Sequence, residues 1–350
     1  MYYAGIIGCG KIAELRHAPE YLETKKVKIV GFYDNSFDRA KRLAHMFGGK
    51  AFTSVEELLA DSNINLISVC TANTSHAEDT IRALEAGKHV IVEKPMAVSI
   101  KECEDMVLTA KKVGKRLLLG HNQLFAGGHV MAKKLIDSGV IGKPLVFRTV
   151  FGHPGPECWT ENPNSWFISK ERAFFGVLGD LGIHKIDLMH YLLSDEIVSV
   201  SANTATLDKK NPSGSFIDVE DNAQALFKTA KGTQGTLQVS WTYYSGEENS
   251  TRIYGTKGLI CLYDDPEYAV IVQERNGNLC KMKIDALTSN EEQNAGRRTS
   301  TGIIKEFVDA IDEDRPSRAD GVQALKAMRV VFAAIESAKT GKEISVSQNE

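Results

Sequence analysis

The residues with the clearest chemical purpose lie at the start of the chain. Gly8-Cys9-Gly10-Lys11-Ile12-Ala13 fits G-x-G-x-x-G/A, a turn whose glycines let backbone N–H groups approach a pyrophosphate at the positive end of a helix. Asp34 stands 24 residues beyond Gly10, near the roughly 20-residue offset at which an acid binds the adenosine ribose hydroxyls of a dinucleotide. A carboxylate there repels a 2′-phosphate, and Asn35-Ser36 follow it directly with no arginine. The pattern therefore favours NAD, with NADP as a further candidate, and makes Gly8, Cys9, Gly10, Lys11, Ile12, Asp34 and Asn35 candidate cofactor residues. The alternative is a plain strand-to-helix turn in which Asp34 only caps the next helix.

A phosphate turn works only if a strand and a helix present it. Up to about Asn122, continuous apolar runs at 4–7, 27–32, 66–70, 89–92 and 116–119 read as buried strands of a parallel sheet covered on both faces. Helical spacing at 12–23, 37–47, 75–86 and 100–113 fills the intervals, with Gly48, Gly87 and Gly114 where left-handed caps belong. This βαβ series predicts a doubly wound Rossmann domain over 1–122.

Beyond it a helix is expected near 127–138, and the texture then changes. Period-two alternation is clearest where Leu237, Val239, Trp241 and Tyr243 fall on one face. Strands expected at 144–153, 197–206, 222–229, 235–244, 251–254, 259–263 and 269–273, with one long internal helix at 177–193, predict an α+β domain over 123–350 with a large, mainly antiparallel open sheet. Two closing helices are expected at 302–312 and 321–339, the second with Leu325, Met328, Phe332 and Ile335 on its apolar stripe, and they are candidates to pack back on the first domain. The polar stretch 289–300 is a candidate mobile loop.

The chain has 350 residues, 43% hydrophobic and 25% charged, with a formal net charge of −3. Both signs are scattered, which argues against nucleic acid or an anionic membrane surface as partner and for a small molecule. Six widely spaced cysteines without a CxxC pair suggest reduced thiols. The opening residues run straight into the glycine turn without a signal-peptide pattern, and no stretch reaches about 18 apolar residues. A cytoplasmic location is expected.

Three further segments carry a family pattern: Thr71-Ala72-Asn73-Thr74-Ser75-His76, Glu93-Lys94-Pro95, and Gly179-Asp180-Leu181-Gly182-Ile183-His184-Lys185-Ile186-Asp187. Together with the glycine turn they make the chain resemble the Gfo/Idh/MocA oxidoreductases from end to end. The resemblance implies that Lys94, Asp180 and His184 are catalytic, with Lys94-Pro95 often cis, and that Thr71, Ala72, Asn73, His76, Glu93 and Lys94 line the cofactor crevice. It also implies a dimer or tetramer formed through the second sheet.

These roles are chemically coherent. Oxidising a secondary alcohol removes a hydroxyl proton as hydride leaves the carbon, which suits a histidine as general base. Lys94 would stabilise the same oxygen, and Asp180, four residues before His184, would orient the imidazole or bind a substrate hydroxyl. Taken singly, Lys94 also fits a solvated strand-end lysine, His184 a satisfied helix histidine, and Ser75 a helix cap. The i, i+4 spacing of Asp180 and His184 also suits zinc, but no third ligand is well placed in sequence, so no metal is expected.

The chain departs from the family pattern on the substrate side. Ala72 replaces a proline, Asn122-Gln123-Leu124 and Trp166-Phe167 lack the usual arginines, and Phe174-Phe175-Gly176 replaces a glycine run. Loss of guanidinium clamps argues for a neutral sugar, sugar derivative or inositol. Asn122, His153, Trp166, Asp187 and Tyr243 are the candidate substrate residues, His153 and Trp159 lying in a Pro/Gly-rich loop suited to a sugar face. A NAD-dependent glycoside hydrolase that oxidises transiently and a non-catalytic nicotinamide-sensing regulator are the competing functions.

Overall fold

The computed structural model describes residues 1–287 and 301–347; the loop expected at 289–300 lies outside the described residues. The chain divides into two compact units. The first comprises 1–122, 171–173 and the described part of 291–325, and the second the rest.

In the first unit, β1 (Tyr2–Ile7), β2 (Val27–Tyr33), β3 (Lys50–Ala51), β4 (Leu66–Val69), β5 (His89–Val92) and β6 (Leu117–Leu119) form a parallel sheet in the order β3-β2-β1-β4-β5-β6. β4 and β6 are buried along their whole length, as continuous apolar runs require when helices cover both faces. The strand order reverses at the boundary between β1 and β4, the point at which such sheets open a crevice at their carboxyl ends. The phosphate turn leaves β1 at this boundary.

Local signals explain the helices. Ile100–Val113 starts where Ser99 Oγ accepts the Glu102 N–H at 3.2 Å while the Glu102 carboxylate accepts the Val98 N–H at 3.1 Å, a reciprocal cap. It stops at Gly114 in the left-handed region, whereas Gly48, expected to do the same, leaves its helix with an extended ψ of 173°. Ser75 occupies the cap position of His76–Glu85, but its side chain makes no cap bond. The helix Val55–Ala60 was not expected, although Ser54 and Glu57 carry a capping signature and the Glu57 N–H donates to Ser54 Oγ at 3.1 Å. The closing helix Ile303–Asp312 is held in this unit by buried Glu20, whose carboxylate accepts the N–H groups of Thr301 at 2.7 Å and Ile304 at 3.2 Å.

Among the described residues the second unit has nine strands: β7 (Pro144–Gly152), β8 (Ile197–Ala205), β9 (Asn222–Thr229), β10 (Gln234–Ser240), β11 (Thr251–Gly255), β12 (Gly258–Leu262), β13 (Val270–Glu274), β14 (Leu279–Met282) and β15 (Ile344–Ser345). Their order is β14-β13-β12-β11-β7-β10-β9-β8-β15. Only β7 and β10 pair in parallel, so the sheet is mainly antiparallel. Ala223, Ala225 and Phe227 of β9 face the core while Gln224, Leu226 and Lys228 face outward, and the helix Ile183–Leu193 is buried over most of its length.

Four expectations need correction. β10 ends at Ser240, not at residue 244: the Trp241 N–H still makes the next in-register bond, to the Asp221 carbonyl at 2.8 Å, and the strand stops there, which leaves Tyr243 outside it. The helices expected at 12–23 and 177–193 each contain a π-helical turn, Ala13–His17 and Leu178–Gly182, where one extra residue per turn shifts the helical face. The last helix, Gly321–Thr340, buries Leu325 and Met328 of the expected stripe, but Phe332 and Ile335 are only half-buried, and Ala327, Val331 and Ala334 are buried as well. Its small residues allow packing around more of the helix than a single large-residue stripe implies. The short strands β3, β14 and β15 were also unforeseen, being too brief for a periodic pattern to develop.

Candidate active site

In the first unit the turn after β1 is held by main-chain bonds. The Gly8 N–H donates to the Tyr33 carbonyl at 2.8 Å, and the Cys9 N–H donates to Asp34 Oδ2 at 2.8 Å. Gly8 has φ +91°, and a Cβ there would lie 2.5 Å from the Cys70 backbone, so no other residue fits without moving β4. At Gly10 a Cβ would meet nothing within 4 Å, which leaves open space beside the backbone. The first intrahelical bond runs from the Glu14 N–H to the Gly10 carbonyl. The N–H groups of Ile12 and Ala13 therefore belong to the first turn, at the positive end of this helix. An open cradle with a helix end and an acid at the tip of β2 fits a dinucleotide. Asp34 Oδ1 also accepts the Ser36 N–H at 2.8 Å, but Asp34 does not cap the helix Phe37–Phe47, whose N-cap residue is Ser36. Asn35 Oδ1 accepts from the Tyr33 hydroxyl at 3.0 Å.

The residues after β4 and β5 are tied to one another. Half-buried Thr71 donates its hydroxyl to Asp79 Oδ2 at 3.1 Å, and burial pushes the Asp79 carboxyl up to about 6. Asn73 donates its amide to the Ala173 carbonyl at 2.8 Å. The His76 ring is almost fully buried, with Nδ1 2.8 Å from the Pro95 carbonyl oxygen and Nε2 3.2 Å from that of Thr71. Burial lowers its pKa, opposed by the contacts to the two carbonyls and by the charge of Glu93. The ring thus staples the segment after β5 to the turn after β4.

Lys94 sits half-buried in this segment, and the Lys94-Pro95 peptide is cis. Its N–H donates to Glu93 Oε2 at 3.2 Å, and Glu93 Oε1 lies 3.0 Å from His17 Nε2. His17 Nδ1 is 2.9 Å from Ser68 Oγ, which is 2.8 Å from the Tyr21 hydroxyl. Burial alone would raise the Glu93 carboxyl, but the His17 hydrogen bond and the charges of His17, Arg16 and Lys94 outweigh it and hold the pKa at about 2. A Cβ at Gly120 would fall 2.7 Å from this carboxylate, so Gly120 makes room for it. Nothing in the spacing of His17, Ser68 and Glu93 announces this chain; it exists because β4, β5 and the first helix converge. Asn122 lies just beyond, its N–H bonded to the Gly120 carbonyl at 2.9 Å.

In the second unit Asp180 and His184 are both 7% exposed. The Trp241 indole, fully buried, donates Nε1–H to Asp180 Oδ2 at 3.0 Å, a partner the sequence marked only as a core face. The Phe151 ring lies 6.2 Å from the His184 ring and 6.0 Å from that of His153. His153 Nδ1 accepts the Gly155 N–H at 2.9 Å, which leaves the proton on Nε2 of the neutral ring. The Tyr243 ring packs against Gly152, where a Cβ would be 2.4 Å from it. Asp187 is buried one turn beyond His184. Trp166 stacks on Phe167 at 4.0 Å, and Phe167 meets Trp159 edge-on at 5.6 Å, forming a half-exposed aromatic platform. Among the described residues no group of three or more His, Cys, Asp or Glu could hold a metal ion, and no helix is long and apolar enough to cross a membrane. None of the six cysteines is in a disulfide.

Residues 3–121 match the model of an oxidoreductase family with an NAD-binding Rossmann fold, and residues 129–261 match the GFO/IDH/MocA C-terminal domain. The chain is 24% identical to myo-inositol 2-dehydrogenase of Thermotoga maritima, covering 98% of both chains. It is 26% identical to D-glucoside 3-dehydrogenase of Escherichia coli, covering 97% of this chain and 96% of that one. The crystal structure of GenD2 from gentamicin A biosynthesis, in complex with NAD, superposes with a TM-score of 0.83 at 25% identity, covering 99% of this chain and 96% of that chain. With the cradle after β1 and the acid of β2, these matches establish that the chain belongs to the GFO/IDH/MocA family of NAD-binding oxidoreductases.

Proposed function

We propose that the protein oxidises one secondary hydroxyl of a neutral sugar, sugar derivative or inositol, with His184 taking the hydroxyl proton and Lys94 donating a hydrogen bond to the same oxygen. NAD, when bound, accepts the hydride. Gly8, Cys9, Gly10, Lys11 and Ile12 would hold its pyrophosphate and Asp34 its adenosine ribose, with Thr71, Ala72, Asn73, His76 and Glu93 shaping the crevice. As the hydride leaves carbon and the proton passes to His184, the C–OH bond becomes a carbonyl, so charge builds on oxygen where an ammonium group is most useful. Asp180 would orient the imidazole. The observation that carries this reading is the fixing of Asp180, four residues before His184, by the buried Trp241 indole at 3.0 Å.

The substrate class is supported by the relatives named for inositol and glucoside dehydrogenation and by the missing arginines. Asn122, His153, Trp166, Asp187 and Tyr243 are the candidate contacts, the Trp166 platform suiting the apolar face of a sugar ring. We further infer a cytoplasmic enzyme that assembles as a dimer or tetramer through the outer face of the nine-stranded sheet, where Val146, Leu226 and Tyr254 are exposed; light scattering on the purified protein tests the assembly.

The deciding experiment mixes the protein and NAD with a panel of sugars, inositols and glycosides, plus one sugar phosphate, and follows reduced nicotinamide. Net reduction with a neutral polyol supports the dehydrogenase. Glycoside cleavage without net reduction would move the reading to the hydrolase, and tight NAD binding with no turnover on any substrate would move it to the regulator. His184→Ala should lower kcat by about 10²–10⁴-fold with NAD binding intact; full activity in that variant would refute the proposed base.

A further inference from the structure

Three consecutive N–H groups open the helical segment that carries Asp180 and His184, and one residue receives them all. Glu220 Oε1 accepts from Gly176 at 3.0 Å and from Leu178 at 3.1 Å, and the Glu220 carbonyl accepts from Val177 at 2.9 Å. The segment has no cap of its own, since apolar Val177 stands at the cap position. A carboxylate there satisfies donors that the helix cannot and meets the positive end of its dipole. The approach is close: a Cβ at Gly176 would lie 1.9 Å from the Glu220 carbonyl oxygen. Of Phe174-Phe175-Gly176, the last position therefore has no room for a side chain.

The next residue anchors this contact. Asp221 is fully buried, and its carboxylate accepts the N–H groups of Leu207 at 2.8 Å, Asp208 at 2.9 Å and Lys209 at 2.8 Å, and the Asn222 amide at 3.0 Å. Its carbonyl accepts the Trp241 N–H at 2.8 Å. Two adjacent residues thus hold both sides of the Asp180 contact. Asp221 holds the backbone of the tryptophan whose indole bonds Asp180 Oδ2, and Glu220 holds Gly176, whose carbonyl accepts the Asp180 N–H at 3.0 Å. Leu178–Gly182 is a π-helical turn, so the face it presents depends on where the turn starts, and the bonds to Glu220 fix that start.

We propose that Glu220 is a positioning residue of the reaction: it sets the register of the opening turn and so holds Asp180, and through it His184, in working geometry. The inference rests on the roles proposed above for those two groups. Glu220 moves no proton and acts only through main-chain hydrogen bonds. Burial raises its carboxyl, opposed by the N–H groups it accepts and by the charge of Lys170. A glutamine in its place offers the same acceptor oxygen without the charge.

Glu220→Ala and Glu220→Gln, made in the whole protein, test this with two readouts. The first is the indole N–H resonance of Trp241 in protein labelled with 15N-tryptophan, one of three such signals, assigned by its loss in Trp241→Phe. It needs neither cofactor nor turnover. Glu220→Ala should move it upfield as the bond to Asp180 lengthens, and Glu220→Gln should leave it in place. The second is kcat: Glu220→Ala should lower it about tenfold with KM within about twofold, and Glu220→Gln should recover it to within about threefold of wild type. If Glu220→Ala does not fold, Glu220→Asp, which keeps the charge but shortens the reach, is judged in its place. An unmoved indole signal, a wild-type kcat in Glu220→Ala, or a Glu220→Gln variant no better than Glu220→Ala overturns the proposal. Full activity in His184→Ala would overturn the proposed base and this role together, whereas an unmoved indole overturns this role alone.

Discussion

Lys185 follows the proposed base directly, yet its side chain is fully buried. Its ammonium has only long contacts, 3.5 Å to both the Ser250 carbonyl and Thr251 Oγ1, with the Phe151 ring 5.8 Å away. Burial lowers its pKa from 10.5 to about 7, opposed by the charges of Glu247 and Glu248. At about 1.4 kcal/mol for each tenfold change, that fall corresponds to an upper value of about 5 kcal/mol of lost stability when the amine is charged. The sign follows from proton counting. Between pH 7 and 10.5 the unfolded chain holds this proton and the folded chain does not, so stability rises with pH across that window. Below about pH 7 both states are protonated and the whole penalty is present. Lys185→Met keeps the apolar stem and strands no partner, because the Ser250 carbonyl also accepts the Val150 N–H at 3.0 Å and the Thr251 hydroxyl pairs with Thr149 at 2.8 Å. The variant should therefore melt several degrees above wild type at pH 6, about 2 °C per kcal/mol, with the gap closing towards pH 10. Differential scanning calorimetry across that range measures it. A gap independent of pH, or a variant less stable at every pH, would refute the placement of a strained ammonium here.

Glu93→Gln should cost about 3 kcal/mol in urea unfolding at pH 7, because the carboxyl falls from 4.5 to about 2 on folding. That contribution is complete above pH 4.5 and fades as pH falls through 2, so the deficit should shrink in acid. Trp241→Phe removes the Nε1–H donor to Asp180 while keeping a large ring, and should lower kcat about tenfold with KM nearly unchanged, as expected for a group that positions another. An equal rise in KM would indicate instead that the indole acts on substrate binding.

Much of the Rossmann unit was legible in the linear chain, because a parallel sheet covered on both faces demands continuous apolar strands and a helix such as Ile100–Val113 carries its own start and stop signals. Ser99, Glu102 and Gly114 are local devices, readable within a few residues. The glycine turn after β1 was legible for the same reason: Gly8 answers to backbone geometry and Asp34 to the end of the next strand. The second unit was less open. Alternation runs along 235–244, yet the strand ends at Ser240, and hydrophobic spacing says nothing about where pairing stops. The final helix hid its buried face in small residues.

The linear chain carries most of the order of elements and the glycine turn after β1. Tertiary structure alone decided how the side chains of the site are held: His17 on Glu93, His76 on Pro95 and Trp241 on Asp180. Local geometry acts over one or two turns of chain and leaves a pattern in the spacing. A hydrogen bond between residues far apart in sequence leaves none, since it depends on where whole strands and helices come to rest.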